Sequence, residues 1–233
     1  MKFLLSFGTR PEWIKIKPLI KAFQQNNIEY NCLFTGQHTD LLTAHHFDWE
    51  ITINNSNNNR LNNVIASVLN ADVPWSNWDY ILTQGDTASA YAVSLAAFNN
   101  NIKTIHLEAG LRSNDLLNPY PEEAYRQMIS RITDINFCPT EESSQNLENE
   151  NVLGKVYTVG NTVLDNLKEY KSKCSYGDTV LVTLHRRENH SVIDQWFTEL
   201  NDIAKQYSEL KFILPVHANP NVKKHTDILT NVH

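Results

Sequence analysis

Positive charge is scarce in this sequence: 20 Lys and Arg stand against 26 Asp and Glu, for a formal net charge of −6. Such a chain has no basic face with which to hold a nucleic acid or an anionic membrane. Cysteine is scarcer still. Cys32, Cys138 and Cys174 are odd in number and far apart, which excludes a disulfide framework and a zinc site of paired cysteines. Cys32 and Cys138 lie in apolar, strand-like runs and read as buried free thiols. Long hydrophobic runs are missing. The opening Phe3-Leu4-Leu5-Ser6-Phe7 is far too short to span a bilayer, and it runs into Gly8-Thr9-Arg10-Pro11 without a signal-peptide cleavage pattern. The expectation is a cytoplasmic protein. Low complexity is confined to the Asn-rich stretch Asn54 to Asn63. What is present is an ordinary globular composition, 41% hydrophobic over 233 residues, enough to bury a real core.

The hydrophobic pattern alternates between short β-rich runs and segments of helical period, the signature of an α/β chain with a parallel sheet covered by helices. Strands are expected at Lys2 to Phe7, Glu29 to Phe34, Trp49 to Ile53, Tyr80 to Thr83, Lys103 to Leu107, Ile135 to Cys138 and Val156 to Val159. A helix candidate follows each. Pro11 suits a first helical turn, Thr140 with Glu142 and Ser143 reads as a cap, and Asp86-Thr87 opens a third helix. A first Rossmann-like domain is expected over residues 1–170 and a linker over 171–178, with a second, partial Rossmann-like domain over 179–233. In that second unit the reading is a strand Thr179 to Leu184, a helix Val192 to Tyr207, a strand Lys211 to Val216 and a further helix from Val222. One βαβ unit with a trailing helix cannot cover both faces of a parallel sheet, so this unit is expected to be incomplete.

In open α/β sheets, ligands bind beyond the carboxyl ends of the strands. Those ends carry Gly8-Thr9-Arg10-Pro11-Glu12, Thr35-Gly36-Gln37-His38, Gln84-Gly85-Asp86-Thr87, Glu108-Ala109-Gly110-Leu111-Arg112, Gly160-Asn161-Thr162, His185-Arg186-Arg187-Glu188-Asn189 and His217-Ala218-Asn219-Pro220-Asn221. Any one of these is explained as a solvated turn. Taken together, His, Arg, Asp or Glu at six of these seven ends, with Gly and Asn among them, exceed what turns require, and they point to a catalytic cleft between two domains.

Gly8, the helix start at Pro11, Arg10 and Lys15 suit an anion, with phosphate the natural guest. Neither G-x-G-x-x-G nor a P-loop is present. Asp86, Glu108 and Glu122 are acids at or after strand ends; crowded in a partly dry cleft, at least one should hold a proton, which provides an acid and a base together. Plainer readings stay open: Asp86 as a helix cap, Glu122 as a first-turn acid after Pro119 and Pro121, Lys17 as a solvated residue. Glu123 is expected to be solvated or paired with Arg126 or Gln127 rather than to touch a ligand. His185, followed by Arg186 and Arg187, suits a diphosphate leaving group. His217 could act likewise or support a turn. His38, His45 and His46 lack metal-ligand spacing, so no metal site is expected.

These segments, with Ile14-Lys15, His106-Leu107-Glu108-Ala109-Gly110-Leu111-Arg112-Ser113, Pro121-Glu122-Glu123, Pro139-Thr140-Glu141, Gly160-Asn161-Thr162-Val163 and Pro215-Val216-His217, resemble in order the motifs of the non-hydrolysing UDP-N-acetylglucosamine 2-epimerases. The resemblance runs through nearly the whole chain. It implies two Rossmann-like domains of the glycosyltransferase-B type and interconversion of UDP-N-acetylglucosamine and UDP-N-acetylmannosamine by UDP elimination and re-addition. It implies acid/base roles for Asp86, Glu108 and Glu122, and a place for His185 near the leaving diphosphate. Arg10, Lys15 and Arg112 become expected substrate contacts. Gln37, Arg186 and His217 match positions that line a second, regulatory UDP-N-acetylglucosamine site. No redox or metal cofactor is implied.

Trp13 and Tyr125 depart from the family's usual small or polar residues. The family also continues through a Ser-Gly-Gly helix start that holds the diphosphate, beyond the residues present here. The resemblance therefore implies weak UDP binding by this chain alone and association, either with a second copy or with a missing carboxyl-terminal half. Other readings consistent with it are a hydrolysing relative, an epimerase of a modified UDP-sugar, and an inactive copy acting as a binding or interaction protein.

Overall fold

The computed structural model describes residues 1–38, 47–56, 58–168, 177–184, 192–216 and 223–233. The chain divides into two compact units, Met1–Lys171 and Ser172–His233.

The first unit is built on a seven-stranded parallel sheet. In chain order its elements are β1 (Lys2–Phe7), α1 (Arg10–Gln25), β2 (Glu29–Phe34), β3 (Trp49–Glu50), α2 (Arg60–Leu69), β4 (Tyr80–Gln84), α3 (Ala88–Asn99), β5 (Lys103–Leu107), α4 (Glu122–Ile132), β6 (Ile135–Cys138), α5 (Glu141–Asn149), β7 (Lys155–Thr158) and the short α6 (Val163–Leu167). The strand order is β3-β2-β1-β4-β5-β6-β7, with β1 paired in parallel to both β2 and β4. Period-two alternation sorts the strand residues between the two faces. Leu5, Phe7, Ile105 and Leu107 pack with Ile16 and Phe23 of α1, while Leu4 and Ile81 pack with Val68 of α2 and Ala92, Val93 and Ala96 of α3. Helix α3 is sandwiched between α2 and α4, and its run of alanines and serines lets neighbouring backbones approach on several sides.

The α/β expectation holds, with adjusted element ends. The strand expected from Trp49 to Ile53 keeps ladder geometry only at Trp49–Glu50. The strand expected at Val156 to Val159 lies one residue earlier, at Lys155–Thr158. Cys32 and Cys138 are free and buried. Burial, with Asp48 adding to it, pushes the Cys32 thiol up to about 12, which keeps it unreactive. Cys174 lies outside the described residues.

The second unit pairs β8 (Thr179–Leu181) in parallel with β9 (Lys211–Ile213), joined through α7 (Ile193–Gln206). Its core is Ile193, Phe197 and Leu214, with Val182, Leu184, Leu200, Ile228, Leu229 and Val232 packed around them. Both strands are shorter than expected. Of the helix expected from Val222, Val222 itself lies outside the described residues and Lys223 is helical. A 3-10 turn follows at Thr226–Ile228, and the chain then bends on to His233, whose N–H donates to the Phe212 carbonyl and whose carbonyl accepts from the Leu214 N–H. Asn201 draws this segment in by accepting from the Asn231 N–H.

Candidate active site

Strand order reverses at β1 and β4, so the loops after these two strands part in opposite directions and open a crevice at their carboxyl ends. At the first of these ends, Gly8 is required by close approach: a Cβ there would lie 2.1 Å from Thr35 Oγ1 and 2.3 Å from Ser89 Oγ. Thr9 caps α1, and the Glu12 carboxylate turns back to accept from the Gly8 N–H and the Thr9 N–H, both at 2.7 Å. Its other oxygen accepts from Thr87 Oγ1 at 2.5 Å, and Thr87 in turn caps α3 by accepting from the Ala90 N–H. Glu12 therefore ties the amino ends of α1 and α3 together. Burial pushes its carboxyl above the ordinary value, against the pull of these donors. The phosphate expected here is displaced at Gly8 and Thr9 by the protein's own carboxylate. The signal for it was the capping box Thr9-x-x-Glu12.

Lys15, exposed Arg10 and the β4 and β5 ends make up the rest of this rim. Glu108, the first residue past β5, gathers donors from three other segments. Lys15 Nζ on α1 and Gln84 Nε2 on β4 donate to its Oε2, each at 2.5 Å, and Asn161 Nδ2 after β7 donates to its Oε1 at 2.7 Å. Residues far apart in sequence thus converge on one carboxylate. Its backbone is left-handed, with φ 69°, a conformation that glutamate rarely adopts and that tends to persist at functional sites.

Asp86, past β4, meets Arg126 of α4 instead of capping α3; the cap is Thr87. Arg126 also reaches Glu123, which is fully buried. Glu123 accepts from the Ser113 and Asn114 N–H groups and from Gln127 Nε2. It is thus paired as expected, although buried rather than solvated, and it anchors the start of the loop that leads to α4. Glu122 is the half-buried first residue of α4, beside Tyr125, which stacks on Tyr91 of α3 at 5.2 Å between ring centres. The crowding of like charges expected for these acids is relieved: Asp86 and Glu108 each have their own cation, Arg126 and Lys15.

Arg112 is placed differently from the expected substrate contact. Its side chain is 1% exposed. It forms a two-pronged pair with Glu150, Nε to Oε1 at 2.6 Å and Nη2 to Oε2 at 3.0 Å, and also donates to Ser130 Oγ and the Leu111 carbonyl. Little of its donor capacity remains for a ligand. Gln37 accepts from the Ser89 N–H and Oγ, and it lines a cavity of about 460 Å³ with Gly36, His38, Ile53, Asn55, Arg60 and Val64. His185, Arg186 and His217 lie outside the described residues. Gln84, Arg126 and Asn161 belong to the site but escaped a reading that looked for charges at strand ends. Gln84 and Asn161 were within the quoted segments, while Arg126 sits inside a helix with nothing local to distinguish it.

Comparisons with known proteins identify relatives of this chain. The sequence model of the family described as UDP-N-acetylglucosamine 2-epimerase matches residues 21–232. Among curated relatives, the UDP-N-acetylglucosamine 2-epimerase of Neisseria meningitidis serogroup A is 36% identical over 100% of this chain and 70% of its own length. A putative UDP-N-acetylglucosamine 2-epimerase of Thermotoga maritima is 34% identical over 96% of this chain and 65% of its own. Among solved structures, the Neisseria meningitidis UDP-GlcNAc 2-epimerase bound to UDP-GlcNAc superposes with a TM-score of 0.86 at 35% identity, covering 100% of this chain and 71% of that one. The Methanocaldococcus jannaschii UDP-GlcNAc 2-epimerase in complex with UDP-GlcNAc and UDP gives a TM-score of 0.74 at 28% identity, covering 99% of this chain and 69% of that one. The chain therefore spans 65% to 71% of the length of these relatives. With a family match over residues 21–232 and a structural match that covers the chain, the chain belongs to the UDP-N-acetylglucosamine 2-epimerase family.

Proposed function

We propose that the protein inverts UDP-N-acetylglucosamine at C2 to give UDP-N-acetylmannosamine, by elimination of UDP and its re-addition. The observation that carries this reading is Glu108, held in a left-handed turn by Lys15, Gln84 and Asn161, in a chain of this family. In the elimination, the C1–O bond breaks and UDP departs with its electron pair. A carboxylate takes the C2 proton, and the C2–H electron pair becomes the C1–C2 double bond of an acetamidoglucal. In the return step, UDP oxygen re-forms the bond to C1 while a carboxyl group delivers a proton to the opposite face of C2. The reaction neither oxidises nor reduces the sugar overall, so it calls for no redox cofactor.

Asp86, Glu108 and Glu122 are the proposed acid/base groups. Arg10 and Lys15 supply positive charge toward the departing diphosphate. His185, Arg186 and His217 enter by motif alone: His185 near the diphosphate, Arg186 and His217 with Gln37 at a second, regulatory site for UDP-N-acetylglucosamine. Association with a second copy or with a carboxyl-terminal half belongs to the same proposal. Exposed Leu181 and Trp196 in the second unit support it, and sedimentation reads it. The deciding experiment is incubation with UDP-N-acetylglucosamine in D₂O. Deuterium at C2 of both epimers, and at least about 10²-fold less of it with Glu108→Gln, is the expected result. Free N-acetylmannosamine would instead indicate hydrolysis, and unlabelled substrate would overturn the reading.

A further inference from the structure

β4 and β5 lie side by side, and the chain leaves both through left-handed backbone, with φ 73° at Gly85 and φ 69° at Glu108. Glycine adopts this freely, whereas at glutamate it is strained and survives only where the surroundings over-determine it. The donors around the Glu108 carboxylate fix the far end of the side chain. The backbone end is fixed by two contacts. The Gly85 N–H donates to the Leu107 carbonyl at 3.0 Å. His106, 1% exposed on β5 and in register with Thr83 of β4, places its Nε2 2.7 Å from the Gly85 carbonyl oxygen.

A carbonyl oxygen only accepts, so this contact requires hydrogen on Nε2. Nδ1 is buried and has no hydrogen-bond partner among the described residues, so nothing there competes for the proton. Burial pushes the ring's pKa below its ordinary value, outweighing the Gly85 carbonyl, Asp86 and Glu108, which raise it, while Arg112 lowers it further. The ring is thus a neutral, single-tautomer donor.

We propose that His106 is a positioning residue: its Nε2–H clamps the Gly85 carbonyl, locks the adjoining left-handed turns at Gly85 and Glu108, and thereby holds the Asp86 and Glu108 carboxylates in place. The consequence for catalysis rests on the epimerase reading above; the clamp itself does not. The motif reading includes His106 at the head of the segment that runs to Ser113 but gives it no role.

The test compares the wild-type chain with His106→Gln, which keeps an N–H donor at similar reach, and His106→Met, which keeps bulk without a donor. Amide hydrogen exchange at Gly85 is followed by NMR, with Leu82 and Ile105 in the same strands as controls, beside kcat and KM for C2 deuteration. With His106→Met, Gly85 should exchange at least about tenfold faster while Leu82 and Ile105 hold. Its kcat should fall by about 10²-fold with KM nearly unchanged, as expected for misplaced carboxylates. His106→Gln should restore most of both. Equal exchange at Gly85 in all three proteins, or a parallel rise at Leu82 and Ile105, would overturn the clamp. So would kcat and KM of His106→Met worsening in proportion, or no rescue by His106→Gln. Should wild type incorporate no deuterium, the epimerase reading fails and exchange at Gly85 alone decides the clamp. Should His106→Met not fold, the ¹⁵N shifts of the wild-type ring decide it: an Nδ1–H tautomer or a charged ring at neutral pH rejects it.

Discussion

Arg126 donates from Nε to one oxygen of Asp86 at 2.7 Å, and its Nη2 lies 2.6 Å from that same oxygen. The same guanidinium reaches Glu123 through Nη1 at 3.3 Å. A helix in the middle of the unit thus holds the acid at the end of β4 and the acid that anchors the following loop. The fork shape matters, because an ammonium group is a point charge and cannot bridge two carboxylates in this way. Arg126→Met should destabilise the protein by about 3–5 kcal/mol, since it leaves the fully buried Glu123 without its cation. Arg126→Lys should recover part of that stability but little of the turnover. Thermal melting and C2 deuteration, measured on both variants, check this.

Lys15 and Glu108 form a pair 2.5 Å apart whose side chains are 23% and 14% exposed, so solvent screens it only partly. Lys15→Met removes the countercharge while keeping the aliphatic stem. The expected outcome is at least about a tenfold loss of kcat, and a stability cost of about 1–3 kcal/mol from the under-satisfied carboxylate. A double-mutant cycle with Glu108→Gln should show strong non-additivity, because both substitutions remove one interaction. Additive losses would mean that the two residues act separately.

Arg112 separates the motif reading from the structural one. A substrate contact at this position predicts that Arg112→Met weakens ligand binding in a protein of normal stability. The buried pair with Glu150 predicts the reverse: a loss of about 3–5 kcal/mol, seen as a fall in melting temperature of at least about 6 °C, with UDP-N-acetylglucosamine affinity of the folded protein unchanged. Melting curves and calorimetric titration below the transition distinguish the two.

The fold was legible because its signals are local. The apolar run Phe3-Leu4-Leu5 in β1, the capping threonines Thr9, Thr87 and Thr140, and Ile105-His106-Leu107 before Glu108 each mark an element within a few residues. Strand ends beyond the ladder, as at Ile51 to Ile53, were less legible, since a β-branched residue in a half-buried extended loop looks the same in sequence. Within the site, charge at strand ends found Asp86 and Glu108 but did not show which cations each would meet. Arg126 and Lys15 reach these acids across 40 and 93 positions of chain, and no spacing rule encodes that. The pairing of Arg112 was hidden for the same reason: its partner Glu150 lies 38 residues away, at the end of α5.

Glu123 gives a pH signature with a definite sign. Burial acts to raise its carboxyl, but the Ser113 N–H, Gln127, the Asn114 N–H and Arg126 together outweigh it and hold the group below its ordinary value of 4.5. Because the folded chain binds this proton less readily than the unfolded one, the unfolded state takes up more protons as pH falls below 4.5. The stabilisation is therefore complete above that pH and is lost progressively as pH drops through the folded value. Glu123→Gln keeps the shape but removes both the charge and one acceptor. Its melting temperature should lie well below wild type at pH 7, and the gap should narrow steadily once the pH is taken below 4.5. A gap that stayed constant across that range would show that the carboxyl is equally protonated in both states and that its four donors do not favour the charged form.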